Sequence, residues 1–270
     1  MTSETGAQLL ARLGSRPSMN GLEPSLFGAG PETKTAYELY GEEGTGKSEM
    51  LMNFVSSCIL PDVWNDLKIG GHNACVVFID TDYKFSILHL ALLLEKRLRG
   101  LFKDDSEMNS CMEDMESFIK SCLKRLQLLR CNSSSNLLIT LISLENILNS
   151  NSDISVLMID SISSFYWLDK CSGVDNTNMN SITATLNSLL DTYHIVLFVT
   201  RAAIVKHKSK DGDRHTEALT ADYMCHAWHN FIKHQYVFIP LADSREVKVV
   251  CQTQNVNTRF SVSDSGIKFK

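Results

Sequence analysis

A glycine-rich stretch of the chain has the residue types and spacing of a phosphate-binding loop. Residues 41 to 48 read GEEGTGKS and satisfy the pattern GxxxxGK[ST], between a strand-like run and a helical one. In such a loop the glycines let backbone amides point at phosphate oxygens, the lysine reaches the β- and γ-phosphates, and the hydroxyl binds Mg²⁺. We therefore expect ATP to bind here with Mg²⁺. The predicted nucleotide-binding residues are Gly41, Glu42, Glu43, Gly44, Thr45, Gly46, Lys47 and Ser48.

Two further stretches place a carboxylate at the end of an apolar, strand-like run. VLMIDS, at residues 156 to 161, contains Asp160, which would complete a Mg²⁺ site with Ser48. FIDTD, at residues 78 to 82, offers Asp82 as the group that polarises an attacking water beside the γ-phosphate. Asp80 competes with Asp82 for that role, and a solvated or helix-capping Asp82 is equally compatible with the pattern. The predicted metal ligands are Ser48 and Asp160, and Asp82 is the catalytic candidate.

The elements that must bring these residues together alternate between strand-like and helical runs. That alternation is typical of α/β proteins with a mostly parallel central sheet flanked by helices. Strands are predicted at Ala36 to Tyr40, Cys75 to Asp80, Leu126 to Arg130, Val156 to Asp160 and Ile195 to Thr200. Helices are predicted at Lys47 to Ile59, Phe85 to Leu98 with Gly100 as the stop, Ser110 to Leu126, Leu137 to Leu148 and Met179 to Tyr193. Beyond residue 235, QYVFIP, EVKVVCQT and TRFSVS alternate with polar turns and predict an antiparallel extension at one edge of the sheet.

Length and composition favour one globular core. With 270 residues, of which 44% are hydrophobic, the chain can bury a substantial core without disulfides, and its eight cysteines include no CxxC pair. We predict a core domain over residues 35–270 and an N-terminal arm over residues 1–34, whose LLARL run at 9 to 13 could dock on a partner or on the chain's own core. The net charge of −5 indicates that any contact with nucleic acid is local. No run is long and apolar enough for a membrane span, so no membrane partner is expected.

Over residues 35 to 270 the chain resembles the RecA/Rad recombinase family of eukaryotic paralogues. The resemblance lies in the order and spacing of the strand with GEEGTGKS, then FIDTD, then VLMIDS. The runs ELYGEEGTGKSEM, FIDTDYKFSILHL, IDSISSFYWLD and CHAWHNFIKH carry the resemblance. It implies a RecA-like P-loop ATPase core. It also implies a nuclear protein of homologous-recombination repair of DNA double-strand breaks, which joins sister paralogues in a hetero-oligomer and promotes recombinase assembly on single-stranded DNA.

Two positions depart from the pattern of active recombinases in this family. Those proteins carry a glutamate where this chain has Asp82, and the shorter side chain withdraws the carboxylate from its target. They also carry a glutamine that senses the γ-phosphate after the strand ending at Thr200, where this chain has Arg201 and Ala202. Weak or absent hydrolysis is expected. The alternative, a competent DNA-stimulated ATPase acting directly in strand exchange, stays open, whereas a small-molecule kinase is disfavoured because no arginine-rich lid segment appears.

The resemblance also implies two loops that contact single-stranded DNA. The first falls near Asp169 to Asn180 and contains one basic residue, Lys170. The second falls near residues 206 to 220, and an ordinary solvated loop is an equally good interpretation of it. The candidate DNA-binding residues in the second loop are Lys206, Lys208, Lys210 and Arg214.

Two aromatic groups are predicted to be packing residues. Phe165, Tyr166 and Trp167 are expected to pack behind the strand that ends at Asp160. Trp228 and Phe231 are expected to be core anchors.

Overall fold

A computed structural model describes residues 5–6, 9, 14–102, 112–173, 177–204, 223–241, 245–263 and 265–270. Within these ranges the strands form one nine-stranded sheet and a separate two-stranded hairpin. The strands are β1 (Ala36–Gly41), β2 (Val63–Trp64), β3 (Leu67–Lys68), β4 (Cys75–Asp80), β5 (Leu126–Arg130), β6 (Ile154–Asp160), β7 (Val196–Ala202), β8 (His234–Pro240), β9 (Glu246–Cys251), β10 (Val256–Ser263) and β11 (Gly266–Phe269).

Helices occupy most of the connections between these strands. They are α1 (Pro24–Phe27), α2 (Lys47–Ile59), α3 (Ile87–Arg99), α4 (Met112–Leu123), α5 (Ser134–Ser150), α6 (Tyr166–Cys171), α7 (Thr177–Tyr193) and α8 (His226–Phe231). Over the described ranges, no helix combines the length and the apolar character that crossing a membrane requires.

The large sheet is mostly parallel, with the strand order β11-β10-β9-β8-β1-β7-β6-β4-β5. The strands from β8 to β5 in that order pair in parallel, and β9, β10 and β11 continue the sheet antiparallel to their neighbours. This confirms the predicted α/β fold with an antiparallel C-terminal edge. One detail differs, because the QYVFIP segment lies in β8, which runs parallel to β1. The long connection through α8 lets β8 cross over and join the sheet in the parallel direction.

Helices cover both faces of the parallel part of the sheet and bury its apolar strands. Side chains of α2, α3 and α4 pack on one face, and those of α5, α7 and α8 pack on the other. Because parallel strands end at the same edge, Gly41, Asp80 and Asp160 arrive there together, and Asp80 is the register partner of Asp160. This edge carries the residues that the sequence assigns to phosphate and metal binding.

The secondary structure follows the predicted pattern closely. β4, β5 and α2 have the predicted bounds. The helix predicted from Ser110 to Leu126 ends at Leu123, because Leu126 begins β5, and its predicted start lies outside the described residues. Gly100 is the C-cap of α3, as predicted.

The second half of the N-terminal arm lies against the core. Met19, Leu22, Leu26 and Phe27 are buried and belong to the cluster on the α2 face of the sheet. The Arg16 guanidinium donates to the carbonyl oxygens of Leu148, Asn151 and Ile154, at 3.2, 3.2 and 2.6 Å. These bonds tie the arm to the C-terminal end of α5, where helix carbonyls lack partners of their own.

The two aromatic predictions have different outcomes. Trp228 is fully buried, which confirms it as a core anchor. Phe165 is buried too, but Trp167 is 55% exposed, so the prediction that it packs behind β6 was wrong. The cause is the short helix α6, which turns Trp167 away from the sheet, and the Lys170 ammonium lies 5.4 Å from its ring centre.

Candidate nucleotide-binding site

Residues 41 to 48 run from the last residue of β1, through a turn, into the first two residues of α2. A Cβ atom on Gly41 would lie 2.6 Å from the carbonyl oxygen of Phe238, so no larger residue fits there. Gly46 has a φ angle of 80°, in the left-handed region that favours glycine, and α2 begins at the next residue. The sequence therefore folds into a glycine-dependent turn that leads into a helix N-terminus, which is a favourable position for an anion.

The Lys47 side chain folds back into this turn. Its ammonium donates to the carbonyl oxygens of Gly41, at 2.9 Å, and Glu42, at 2.6 Å. Burial lowers the pKa of Lys47 to about 8, because desolvation disfavours the charged form, and the negative charge of Asp160 acts against that shift. Phosphate oxygens next to the ammonium would replace the solvation that it has lost.

Ser48, Asp160 and Thr200 form a cluster of oxygen ligands beside Lys47. The Thr200 hydroxyl donates to Asp160 Oδ1, and the Ser48 side chain is also hydrogen-bonded to the Asp160 carboxylate. Burial raises the pKa of Asp160, and these two hydrogen bonds oppose the shift. A hydroxyl and a carboxylate are the hard oxygen ligands that Mg²⁺ takes beside phosphates, so Ser48 and Asp160 suit a magnesium nucleotide.

Replacing Asp160 by asparagine is expected to stabilise the fold while weakening the metal site. Asparagine keeps a hydrogen-bond acceptor and removes a desolvated charge, so we expect a thermal midpoint about 2 °C higher, the shift that about 1 kcal/mol gives in a domain of this size. The native state binds the Asp160 proton more tightly than the unfolded state does. The wild-type protein should therefore gain stability as the pH falls from the raised pKa toward the ordinary aspartate value of about 3.9.

Thermal denaturation of both proteins at several pH values measures this effect. The difference between them should be largest near neutral pH and should shrink in acid. A lower midpoint for the asparagine variant at neutral pH would contradict a net cost of burying this carboxylate.

The two carboxylates of FIDTD have different surroundings. Asp80 is buried and accepts the backbone N–H groups of Lys84, at 3.2 Å, and Phe85, at 3.1 Å, so it holds the turn after β4. The Asp82 side chain is 31% exposed and accepts the hydroxyl of Ser164. Of the two competing carboxylates, Asp82 is therefore the one that faces the cleft.

A cleft of about 530 Å³ joins these elements. The predicted site residues along its walls are Glu43, Gly44, Gly46, Lys47, Ser48, Asp82 and Asp160. Sequence reasoning missed a second set, which comprises Lys84, Ser161, Ser163, Ser164 and Thr200. The serines follow Asp160 directly in DSISS, so a polar run after a predicted strand end was an available signal, whereas nothing local marks Lys84.

The last residues of β7 place no side-chain amide in the cleft. Ala202 lines it with a methyl group at the place where the family resemblance expects a phosphate-sensing glutamine nearby. Arg201 is 2% exposed and forms a bidentate pair with Glu38, from Nε at 2.7 Å and from Nη2 at 3.0 Å. Its guanidinium is thus bound within the core.

Glu38 is the centre of this buried network. Its Oε1 also accepts Trp228 Nε1 at 2.7 Å, and its Oε2 accepts Gln235 Nε2 at 2.6 Å. The guanidinium carbon of Arg201 lies 4.2 Å from the ring centre of Tyr40. The network links β1, β7, β8 and α8, and it fixes the strand end from which Thr200 reaches Asp160.

The structure describes Lys170 of the first predicted DNA-contacting loop, but none of the candidate residues of the second. Lys206, Lys208, Lys210 and Arg214 lie outside the described residues. Lys170, which the sequence assigned to the first loop, lies in helix α6, and its ammonium is 5.6 Å from the ring centre of Tyr166. The assignment of these residues to DNA binding stays a prediction.

Comparison with known proteins agrees with the α/β fold. The Rad51 family model matches residues 20–267. The chain is 34% identical to the DNA repair protein XRCC2 of Mus musculus, over 99% of this chain and 97% of that protein. It is 26% identical to the XRCC2 homologue of Arabidopsis thaliana, over 91% of this chain and 79% of that protein. A shorter stretch, 30% of this chain, is 36% identical to the DNA repair and recombination protein RadA of Methanocorpusculum labreanum, covering 24% of that protein. The chain therefore belongs to the Rad51 family, as one of its recombinase paralogues.

Proposed function

We propose that this chain is a recombinase-paralogue subunit that acts in the nucleus in homologous-recombination repair of DNA double-strand breaks. In this proposal it binds ATP with Mg²⁺, assembles with sister paralogues and promotes recombinase assembly on single-stranded DNA. Its similarity to DNA repair proteins over nearly the whole chain supports the repair role. The observation that carries the nucleotide part is the phosphate-loop turn, with Ser48 hydrogen-bonded to Asp160 beside Lys47.

The chain's own residues have separate tasks in this site. Backbone amides of the turn and the N-terminus of α2 would hold the phosphates, and Lys47 would neutralise their charge. Ser48 and Asp160 would hold the metal ion, and Thr200 would orient the carboxylate of Asp160. Bound Mg²⁺ would supply charge neutralisation across the phosphate oxygens.

Hydrolysis would be weak in this arrangement. Asp82 would have to act as the water-polarising base, but its carboxylate is hydrogen-bonded to Ser164 and lies 3.8 Å from the Lys84 ammonium. A general base must come within about 3.2 Å of the atom whose proton it takes, and a small misplacement costs much of the rate. Ala202 offers no polar side chain beside the phosphates. Nucleotide would therefore act chiefly as a ligand that supports assembly.

A competent DNA-stimulated ATPase is the second candidate, because Asp82 does line the cleft. It predicts phosphate release that single-stranded DNA increases and that both Lys47→Ala and Asp82→Ala abolish. Phosphate release at background level in the presence of DNA favours the assembly role.

Replacing Lys47 by alanine tests nucleotide binding directly. Loss of its charge-assisted hydrogen bonds should raise the Kd for MgATP by about 10- to 100-fold, measured by isothermal titration calorimetry. Lys120→Ala is the matched control, because Lys120 is an exposed lysine on α4 that pairs with Glu116, one helical turn away. Equal MgATP affinity in the wild type and the Lys47 variant, or no binding by the wild type, would contradict the proposal.

The same two variants test assembly. Tagged wild-type protein expressed in cells of its own species should co-purify with a second Rad51-family protein. If the Lys47→Ala variant no longer co-purifies with that protein while the Lys120→Ala variant still does, the assembly requires an intact nucleotide site. If no Rad51-family protein co-purifies with the wild type, the assembly role is refuted.

A further inference from the structure

A second lysine, Lys84, lies in the phosphate cleft, two residues beyond the FIDTD stretch. Lys84 belongs to the turn between β4 and α3, and its backbone N–H is held by Asp80 Oδ1 at 3.2 Å. Its side chain crosses to the phosphate loop, where the ammonium lies 3.0 Å from Glu43 Oε1 and 3.8 Å from Asp82 Oδ2. Lys84 therefore places a second cation in the wall of the cleft that Lys47 also lines.

The ammonium of Lys84 interacts electrostatically with the groups that would surround a nucleotide. Its hydrogen bond to Glu43 raises the pKa of Lys84, and the charges of Asp82 and Asp160 act in the same direction, so the group is protonated at neutral pH. Its positive charge in turn contributes to the lowered pKa of Lys47. The two ammonium groups therefore repel each other, and a polyanion bound between them would offset that repulsion.

The present partner of Lys84 is easily exchanged. The Glu43 side chain is 87% exposed and that of Lys84 is 60% exposed, and ion pairs in such positions contribute little to stability. A terminal phosphate carries more negative charge than one carboxylate, and it likewise accepts charge-assisted hydrogen bonds from an ammonium. Moving from Glu43 to a phosphate oxygen would need rotations of the lysine side chain and no change of the backbone.

We infer that Lys84 is a nucleotide-binding residue that selects triphosphate over diphosphate, by leaving Glu43 and Asp82 for the terminal phosphate. This inference rests on the proposed nucleotide binding. Lys84 shares its turn with Asp82, the residue assigned to the γ-phosphate end of the site, whereas the lysine of a phosphate loop reaches the β-phosphate as well as the γ-phosphate. Removal of Lys84 should therefore affect ATP more than ADP.

Titration calorimetry of the full-length chain with MgATP and with MgADP tests the inference. Lys84→Ala should raise the Kd for MgATP about tenfold, the effect of one charge-assisted hydrogen bond, and should change the Kd for MgADP by less than about twofold. Lys84→Arg should restore most of the preference for ATP. Glu43→Gln should tighten MgATP binding, because a competing carboxylate has been neutralised, and this opposite sign is not expected from a merely structural ion pair.

The outcomes separate the inference from the proposal beneath it. If wild-type protein binds neither nucleotide, both fail. If wild-type protein binds ATP, and Lys84→Ala leaves ATP affinity unchanged or weakens ATP and ADP equally, only the inference about Lys84 fails. Lys120→Ala provides the baseline for removing a lysine charge from the surface, and unchanged circular dichroism spectra would show that each variant is folded.

Discussion

Replacing Glu38 by alanine is expected to lower the free energy of unfolding by about 3–5 kcal/mol, because it leaves a buried guanidinium without its counter-charge. Arg201 and Glu38 have side chains that are 2% and 1% exposed, so the guanidinium has little contact with bulk solvent. The indole N–H of Trp228 and the amide of Gln235 would lose their acceptor at the same time. Each of these groups adds a desolvation cost when it is left unsatisfied.

Urea denaturation of the variant measures the loss. Glu38→Gln should lower the free energy of unfolding less than Glu38→Ala, because the glutamine amide oxygen still accepts a hydrogen bond. Comparing the two variants separates the loss of charge from the loss of the whole side chain. Glu32→Ala is the matched control, because Glu32 also pairs with a cation, Lys233 at 2.6 Å, but its side chain is 62% exposed. It should change stability little. An unfolding free energy within about 1 kcal/mol of wild type for Glu38→Ala would contradict the network's role.

Substitution of Glu38 should also affect the nucleotide site. Arg201 is the neighbour of Thr200, whose hydroxyl holds the Asp160 carboxylate. If β7 shifts when its buried cation loses Glu38, the Mg²⁺ ligands shift with it. Glu38→Gln should therefore weaken MgATP binding even under conditions in which the variant remains fully folded.

Elements whose signals are local could be predicted from the sequence. The phosphate loop is eight consecutive residues with a fixed pattern, and α2 has the predicted bounds. Apolar runs ending in aspartate gave β4 and β6, and parallel pairing then brought Asp80 and Asp160 into register without further information. The direction of β8 was not predictable in this way, because an alternating pattern identifies a strand and carries no information on its orientation.

Features that depend on distant pairs could not be predicted in the same way. Glu38 and Arg201 are 163 positions apart, and each is a single charge in an apolar strand. A lone charged residue in AYELYG indicates that a partner must exist, because an unpaired buried charge is very costly, but it does not identify the partner. Lys84 reaches the cleft only because the turn after β4 folds back over the loop. Exposure of Trp167 likewise depends on how α6 lies against the sheet.

The sequence predicted residues 1–34 to be an arm outside the core domain. In the structure, Met19, Leu22, Leu26 and Phe27 of that stretch pack into the core formed by the rest of the chain. The boundary at residue 34 stays a prediction. What the arm contributes to stability can be measured at a single aromatic residue.

Replacing Phe27 by alanine is expected to lower the free energy of unfolding by about 3–5 kcal/mol. The Phe27 ring is 6% exposed, and its centre lies 5.2 to 5.5 Å from those of Tyr37, Phe54, Phe198 and Tyr236. It is therefore the point at which the arm, β1, α2, β7 and β8 meet. Alanine would leave a cavity that four aromatic rings in a β-sheet core cannot close by small movements.

Two leucine substitutions in the same arm supply the control for this urea denaturation experiment. Leu26→Ala should also be strongly destabilising, because Leu26 is 1% exposed, whereas Leu9→Ala should have little effect, because Leu9 is 40% exposed. A neutral Phe27→Ala would mean that the arm detaches at low cost and that the core folds without it. If the large loss is found, the arm is part of the cooperative core, and deletions that remove it will reduce assembly and nucleotide binding through unfolding rather than through a lost contact.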